Sequence, residues 1–478
     1  MKVLILVTIF IIGLVIQADC QYTIKNKKAI KHFEAAQVYF EKFDDMNAMA
    51  QLDQALRIDS NFVEALNLYA TIYDNKRELE KVIYYLNRAV NANPDYSYKS
   101  FYLLGKNQLI LGKYSDSKEN LTKCLDFSDI SPRIEAYANV LLERAEYGIT
   151  AMANPVDFKP MNLGPNINTP YNDYWPSVTA DESMIITTVL LPKDSRYPVS
   201  YENSQEDFFV SIKKDGMWLP AQNMGRPINT PDNEGSQVFS PDGRLLFYTV
   251  CNRPEDYGSC DIYFSEKIGD EWKKPVNIGP VINTGEWECN PTVSADGRIL
   301  IFSAGHQRGG QGKKDLWLSR MDKTGNWAPP VNLGEEVNSE GNDISPFLHP
   351  DGKTLYFSSD GHMGLGGMDI FMSRLDQDGK WQKPVNMGYP VNTFKDEIGL
   401  IVNAKGELAY FSSERDDSRA KDIYCFYLDP SMRPQVVTYV KGRVFDSVTG
   451  EGLGASFKLI DLETEEVVID SRSNEGNG

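Results

Sequence analysis

Five aspartates stand at a near-constant interval: Asp207, Asp261, Asp315, Asp369 and Asp422, spaced 54, 54, 54 and 53 residues apart. Each precedes Ile, Leu or Phe and then an aromatic residue. A ring of carboxylates is the chemistry of cation binding. Regular repetition argues for another job. An Asp that follows a turn accepts hydrogen bonds from backbone N–H groups where a strand begins, and such a part recurs wherever its scaffold recurs. Trp218, Trp272, Trp327 and Trp381 follow at intervals of 54, 55 and 54. They could form an aromatic platform for sugars or peptides. Packing between neighbouring units is the reading the repetition favours, since an outer strand needs an apolar anchor.

Cys251 and Cys260 end one strand pattern and open the next. An antiparallel hairpin brings such ends to a Cα separation of about 5.5 Å, inside disulfide range, so a disulfide is expected. The gap between them and the lack of a second Cys pair argue against a zinc site. Cys124 occupies a slot that holds Ala55 and Ala89 in equivalent segments, so it reads as a packing residue. Cys289 and Cys425 stay unassigned. Among the four His, His306 and His362 sit in matching loops, "GHQRGG" and "GHMGLGG". A shared metal is one reading, and solvent-exposed turn residues the favoured one. His-Glu-x-x-His, Gly-x-Ser-x-Gly and Walker sequences are absent. The Gly-rich stretches "GGQGKKD" and "GLGGMD" precede strand patterns, not helices, so they are not phosphate cradles. No catalytic, cofactor-binding or metal residues are assigned, and a non-enzymatic chain is expected.

The elements that position these residues come in two periods. Between residues 28 and 130, "QALRIDSNF" recurs as "RAVNANPDY" 34 residues later and as "KCLDFSD" after a further 35. Apolar residues three and four apart, such as Ala65, Leu66, Tyr69, Ala70, Ile72 and Tyr73, mark helices between them. A further helix, Ile134 to Met152, is expected to cap the stack, because a solenoid end otherwise exposes its apolar face. Between residues 158 and 430, the Asp and Trp series is joined by Asn-Thr or Asn-Ser pairs at Asn168, Asn229, Asn283, Asn338 and Asn392. Asp-Gly hairpin turns stand at Asp242, Asp296 and Asp351. In the second unit the four expected strands are "SQVFS", "RLLFYTV", "DIYFSEK" and "WKKPVNIG". Units of this length with four strands imply propeller blades. Five sets of the first three strands meet only four Trp-type outer strands. The missing one, "FKPMNLG" at Phe158 to Gly164, lies ahead of the first set. A ring closed by its N-terminal strand has no open edge, so five blades are expected, with six as the alternative.

The ends differ. Lys2, the apolar run Val3 to Ile16, and small residues at Ala18 and Cys20 read as a secretory signal peptide ending at residue 20. The run is too short to span a bilayer. Lipidation at Cys20 is the less favoured alternative, because Asp19 precedes it. Residues 434–478 hold about three strand patterns with Gly-rich turns. The formal charge of −18 over 478 residues argues against nucleic acid and against an anionic membrane surface.

On these motifs, the 34-residue period resembles tetratricopeptide repeats. "SPDGRLLFY", "HPDGKTLYFSS" and "GGMDIFMS" resemble the WD40-like (TolB-like) propeller repeat. The tail resembles the first half of a carboxypeptidase-regulatory-like β-sandwich. The expected organisation is a signal peptide (1–20), tetratricopeptide-like repeats with a capping helix (21–153), a propeller (154–432) and a truncated sandwich (433–478). In fold class this is an all-α solenoid, an all-β propeller and a partial β-sandwich. The order as a whole resembles OmpA-family envelope proteins of type IX secretion. That resemblance implies a periplasmic, outer-membrane-associated scaffold whose partners are envelope proteins, held through the repeat and propeller surfaces, with no cofactor. Peptidoglycan contact would need a C-terminal OmpA-like domain, which does not occur in this chain. A glycan- or peptide-binding propeller mouth is the alternative.

Overall fold

The computed structural model describes residues 22–196, 199–200, 203–305, 309–415, 420–440, 442–462 and 464–473. The expected signal peptide, Cys20 and His306 lie outside them. The chain forms two compact units divided between Glu143 and Arg144. Within the second, the Arg144 guanidinium donates to the carbonyls of Asp360 and Gly361 at 3.1 and 3.3 Å.

The first unit is built from helix pairs. They are α1 Lys27–Glu41 with α2 Asp45–Ile58, α3 Val63–Asn75 with α4 Leu79–Ala92, and α5 Tyr98–Ile110 with α6 Tyr114–Leu125. Asn26, Asp44 and Ser97 accept hydrogen bonds from first-turn N–H groups of α1, α2 and α5, the role of a helix N-cap. Small residues Ala36, Ala48 and Ala55 are fully buried with Phe33, Leu52 and Phe62, which lets the paired helices approach closely. Ala70 and Cys124 serve the next cluster with Leu86, Leu104 and Leu121. The helix α7 Pro132–Ala153 contributes Ala138, Ile134, Leu141 and Leu142 to it. These are tetratricopeptide-like repeats.

The second unit is a five-bladed propeller. The inner strands are Asn172–Val178, Asn233–Phe239, Glu288–Val293, Asp343–Leu348 and Ile398–Val402 for blades 1 to 5. Each pairs antiparallel with a second strand, and that with a third, which opens at or near the repeated Asp. The outer strand of blade 5 is Met161–Asn162, paired with Cys425 and Tyr424. The chain therefore closes its ring with the N-terminal strand, and five blades is the count. One apolar cluster fills each junction. Phe208 meets Tyr248, Phe247 meets Phe302, Leu316 meets Phe357, and Tyr356 meets Phe411. Ile185 meets Tyr410 across the closing junction.

Two expectations are corrected here. The outer strand of blade 2 is not continuous: Glu271–Trp272 and Val276–Asn277 pair separately with the third strand. Pro275 between them has no N–H to donate to a ladder. Among the described residues the tail forms one hairpin, Ser456–Ile460 with Val467–Arg472, and an isolated Phe445–Gly452 bridge, where about three strands were expected. All five residues of its first strand are exposed.

Glycine is required where a blade loop meets its neighbour. A Cβ on Gly312 would lie 2.3 Å from the Ser339 carbonyl oxygen and 2.6 Å from that of Gly341. Both are backbone atoms of the loop leading into blade 4, so neither can turn aside. Gly312→Ala is expected to cost roughly 1–3 kcal/mol, the range of core overpacking. Gly285→Ala, whose Cβ meets nothing nearer than 3.9 Å, is expected to be near neutral. Urea denaturation of both variants checks the difference.

Candidate functional site

The five repeated aspartates each organise a junction. Asp261 accepts from the N–H groups of Tyr257 and Gly258 at 3.0 and 3.1 Å and from Asn277 Nδ2 at 2.7 Å. Asp315 accepts from the N–H groups of Gln311 and Gly312 and from Asn332 Nδ2. Asp369 takes the N–H of Leu365 and Asn386 Nδ2. Asp207 takes Asn223 Nδ2 at 2.7 Å, and Asp422 takes Asn162 Nδ2 at 2.7 Å. These carboxylates are turned into loop backbone and outer-strand Asn residues. Among the described residues, no group of three or more His, Cys, Asp and Glu could hold a metal ion.

The Asn of each Asn-Thr pair acts as one more strand residue. Asn283 Oδ1 accepts from the Ile262 N–H at 2.8 Å, and its Nδ2 donates to the Ile262 carbonyl at 2.9 Å. Asn229 does the same with Phe208, Asn338 with Leu316, and Asn392 with Ile370. Asn168 closes the ring by doing so with Ile423, at 2.8 and 3.0 Å.

Five further carboxylates lie at a constant step of five residues after those Asn: Asp173, Glu234, Glu288, Asp343 and Glu397. All are at most 1% exposed. Each accepts from the backbone N–H and hydroxyl of the preceding Thr or Ser, as Glu397 does from Thr393 at 2.9 and 2.7 Å. The step is visible in the sequence, but the residue alternates between Asp and Glu within differing contexts, and sequence reasoning missed it. Burial pushes Asp173 and Glu234 up to about 7 and Glu397 up to about 8. It also pushes Asp369 up to about 7.

Two residues beyond each acid the inner strand bulges, and the chain enters the left-handed region at Trp175, Ser236, Asn290, Ser345 and Gly399. These five positions, one from each inner strand, line a common cavity of about 30 Å³. Trp175 fills the axis. Its indole Nε1 donates to Ser345 Oγ at 3.2 Å, across the ring. A Cβ on Gly399 would lie 2.7 Å from the Trp175 ring, so glycine is required there. Trp175→Ala is expected to cost about 3–5 kcal/mol, as for large-to-small core substitutions of Trp, measured by urea denaturation.

The remaining named residues are placed as follows. Trp218, Trp272, Trp327 and Trp381 pack, half-buried, against the junction clusters. Cys251 and Cys260 are disulfide-bonded with Cα atoms 4.0 Å apart. That is closer than the 5.5 Å expected, because Asn252 donates to Ser259 next along the ladder, leaving the cysteines in the closer non-hydrogen-bonded register. Cys124, Cys289 and Cys425 are buried free thiols. Burial pushes Cys124 and Cys425 up to about 11. His362 is not a solvent-exposed turn residue: its Nε2 lies 2.7 Å from the Val337 carbonyl, and its ring packs on Phe357 and Phe371. His349, fully buried, joins blade 4 to the Asn403 carbonyl of blade 5 at 3.1 Å.

The disulfide stands where the pattern between blades changes. At three other junctions the residue before the buried acid accepts from the neighbouring third strand: Asn172 from Lys421, Asn233 from Glu206 and Asp396 from Met368. At the junction after blade 2 that residue is Trp287, beside Cys260. Replacing both cysteines by Ser is expected to lower stability by about 2.7 kcal/mol, the loop-closure entropy for ten residues, read as a fall in melting temperature under oxidising conditions.

No family model matches the chain, and no curated protein does. Among solved structures, the chain is similar to yeast Tom70 at 19% identity over 26% of this chain, with a TM-score of 0.24. It spans 25% of that chain. It is similar to the GH62 α-L-arabinofuranosidase catalytic domain of Coprinopsis cinerea at 12% identity, over 57% of this chain and 98% of that one, with a TM-score of 0.36. It is also similar to an endo-arabinase of Bacteroides thetaiotaomicron at 16% identity, over 56% and 99%, with a TM-score of 0.38. At such scores these likenesses transfer neither activity nor partner.

Proposed function

We propose that the chain is a non-enzymatic periplasmic scaffold, exported by its N-terminal leader and associated with the outer membrane. It holds envelope proteins together through its helical repeats and its propeller faces. The observation that carries this reading is the commitment of the ring's recurrent polar groups. The Asp and Asn series and the inner acids bind backbone at the blade junctions, and Trp175 occupies the axis. Among the described residues these groups leave extended surface to a partner, which is how helical-repeat arrays engage proteins. The domain order resembles that of PorE, a type IX secretion component of the OmpA family. By that resemblance the chain would help tie a secretion assembly to the cell wall, with peptidoglycan contact only through an OmpA-like domain of the kind the family carries.

Crosslinked pull-down of the tagged chain from its native envelope, read by mass spectrometry, tests this. Recovery of outer-membrane secretion components is the expected result. Recovery of bound glycan or peptide without a protein partner would replace the scaffold with a ligand-binding propeller mouth.

A further inference from the structure

We infer that the blade junctions are proton-dependent joints: each sets two carboxyl groups side by side, at least one of them buried, and the ring coheres by keeping some of them protonated. The pairing is set by backbone geometry. Cys260 bridges Trp287 and Lys314 bridges Asn342 in parallel register. The next residues, Asp261 with Glu288 and Asp315 with Asp343, therefore stand abreast on neighbouring strands. The Glu397 N–H donates to the Met368 carbonyl at 2.7 Å, and the Asp173 N–H to that of Lys421 at 2.7 Å. These place Glu397 beside Asp369 and Asp173 beside Asp422. The Glu206 N–H donates to Asn233, which places Asp207 beside Glu234.

Nine of these ten carboxyls are buried, Asp422 being the half-buried exception. Adjacent strands lie about 4.8 Å apart, and carboxylates on neighbouring strands repel one another: Asp422 raises Asp173, Asp207 raises Glu234 and Asp369 raises Glu397. Asp173 Oδ1 and Asp369 Oδ1 are fully enclosed and accept no hydrogen bond among the described residues, which is costly for an anion.

The charged groups facing the pairs differ by junction. Arg253 reaches Glu234 at 3.5 Å, with Asp232 beside it. His362 lies 3.9 Å from Asp343. Arg144 and Asp396 act on Asp369, and Arg415 on Glu397. Asp256 lies near Asp261. At the closing junction the charged neighbour of Asp173 is another carboxyl, Asp422.

The sign follows from proton counting. Carboxyls whose folded values lie near 7 to 8 hold protons that the unfolded chain has lost above about pH 4.5. The folded state then binds more protons, so stability falls as pH rises from about 4 to 8. Asp351, held down to about 2, acts below this window, and the thiols act above it.

Calorimetry of the whole chain from pH 5.5 to 8.5 tests the inference. The melting temperature is expected to fall steadily with pH, and unfolding at pH 6.5 to release more than one proton, read from buffers of different ionisation enthalpy. Asp173→Asn keeps an oxygen for Thr169 and turns an amide donor towards Asp422, so it is expected to raise the melting temperature at pH 8.5 and flatten its pH dependence. Glu397→Gln is a second, independent variant with the same expectation of a flatter profile. A melting temperature that is flat or rising across the range, proton uptake on unfolding, or variants whose shifts are the same at every pH would overturn the inference. If neither variant folds, proton release by the unaltered chain decides.

Discussion

The propeller depends on one interaction repeated at every junction: an asparagine side chain that pairs with a backbone residue as a strand would. Asn229, Asn283, Asn338 and Asn392 fold the linker leaving each blade back onto that blade's third strand. The following Thr or Ser and the acid beyond it then start the next inner strand. The direction in which one blade launches the next is thereby set. Asn168 performs the same pairing with Ile423 from the opposite end of the ring, so closure reuses the joint that builds the rest.

Such joints bury polar groups, which destabilises unless each is hydrogen-bonded. The recurrence of Asp, Asn, Asn and Thr at fixed offsets is the solution. Most atoms of the set find a partner among the others or in nearby backbone, Asp173 Oδ1 and Asp369 Oδ1 being exceptions among the described residues. The apolar clusters then seal the junctions, and no single blade holds a core of its own. Phe208, Tyr248, Phe302, Phe357 and Phe411 are buried by the neighbouring blade. The inner-strand bulges place four non-glycine residues in the left-handed region, at a cost of about 1 kcal/mol or more each. What that strain obtains is convergence of side chains on the axis, where the Trp175 indole reaches Ser345.

Much of this was legible from one sequence because the unit recurs. The Asp interval, the Asn-Thr pairs and the stray "FKPMNLG" strand together lead to five blades closed by the N-terminus. The Cys251 and Cys260 positions at hairpin ends suggest their bond. Other features were not legible, for physical reasons. The inner acids vary between Asp and Glu, since either carboxylate reaches the Thr or Ser four residues before it. The left-handed residues are Trp, Ser, Asn, Ser and Gly, a set with no common side chain, because the bulge is imposed by the backbone. His362 resembles a surface turn residue until the Phe357 and Phe371 rings are placed against it.

The sequence by itself determined the two repeat periods and the recurring Asp, Asn and Trp positions, and it favoured five blades over six. A repeat of this length cannot bury its apolar face alone, so stacking was already implied. Only the tertiary structure decided that Trp175 closes the axis, that ten carboxyls stand in five pairs, and that the compact units divide at Glu143 and Arg144. Those outcomes depend on which residues of distant strands become neighbours, and spacing along the chain carries no record of distance across a ring.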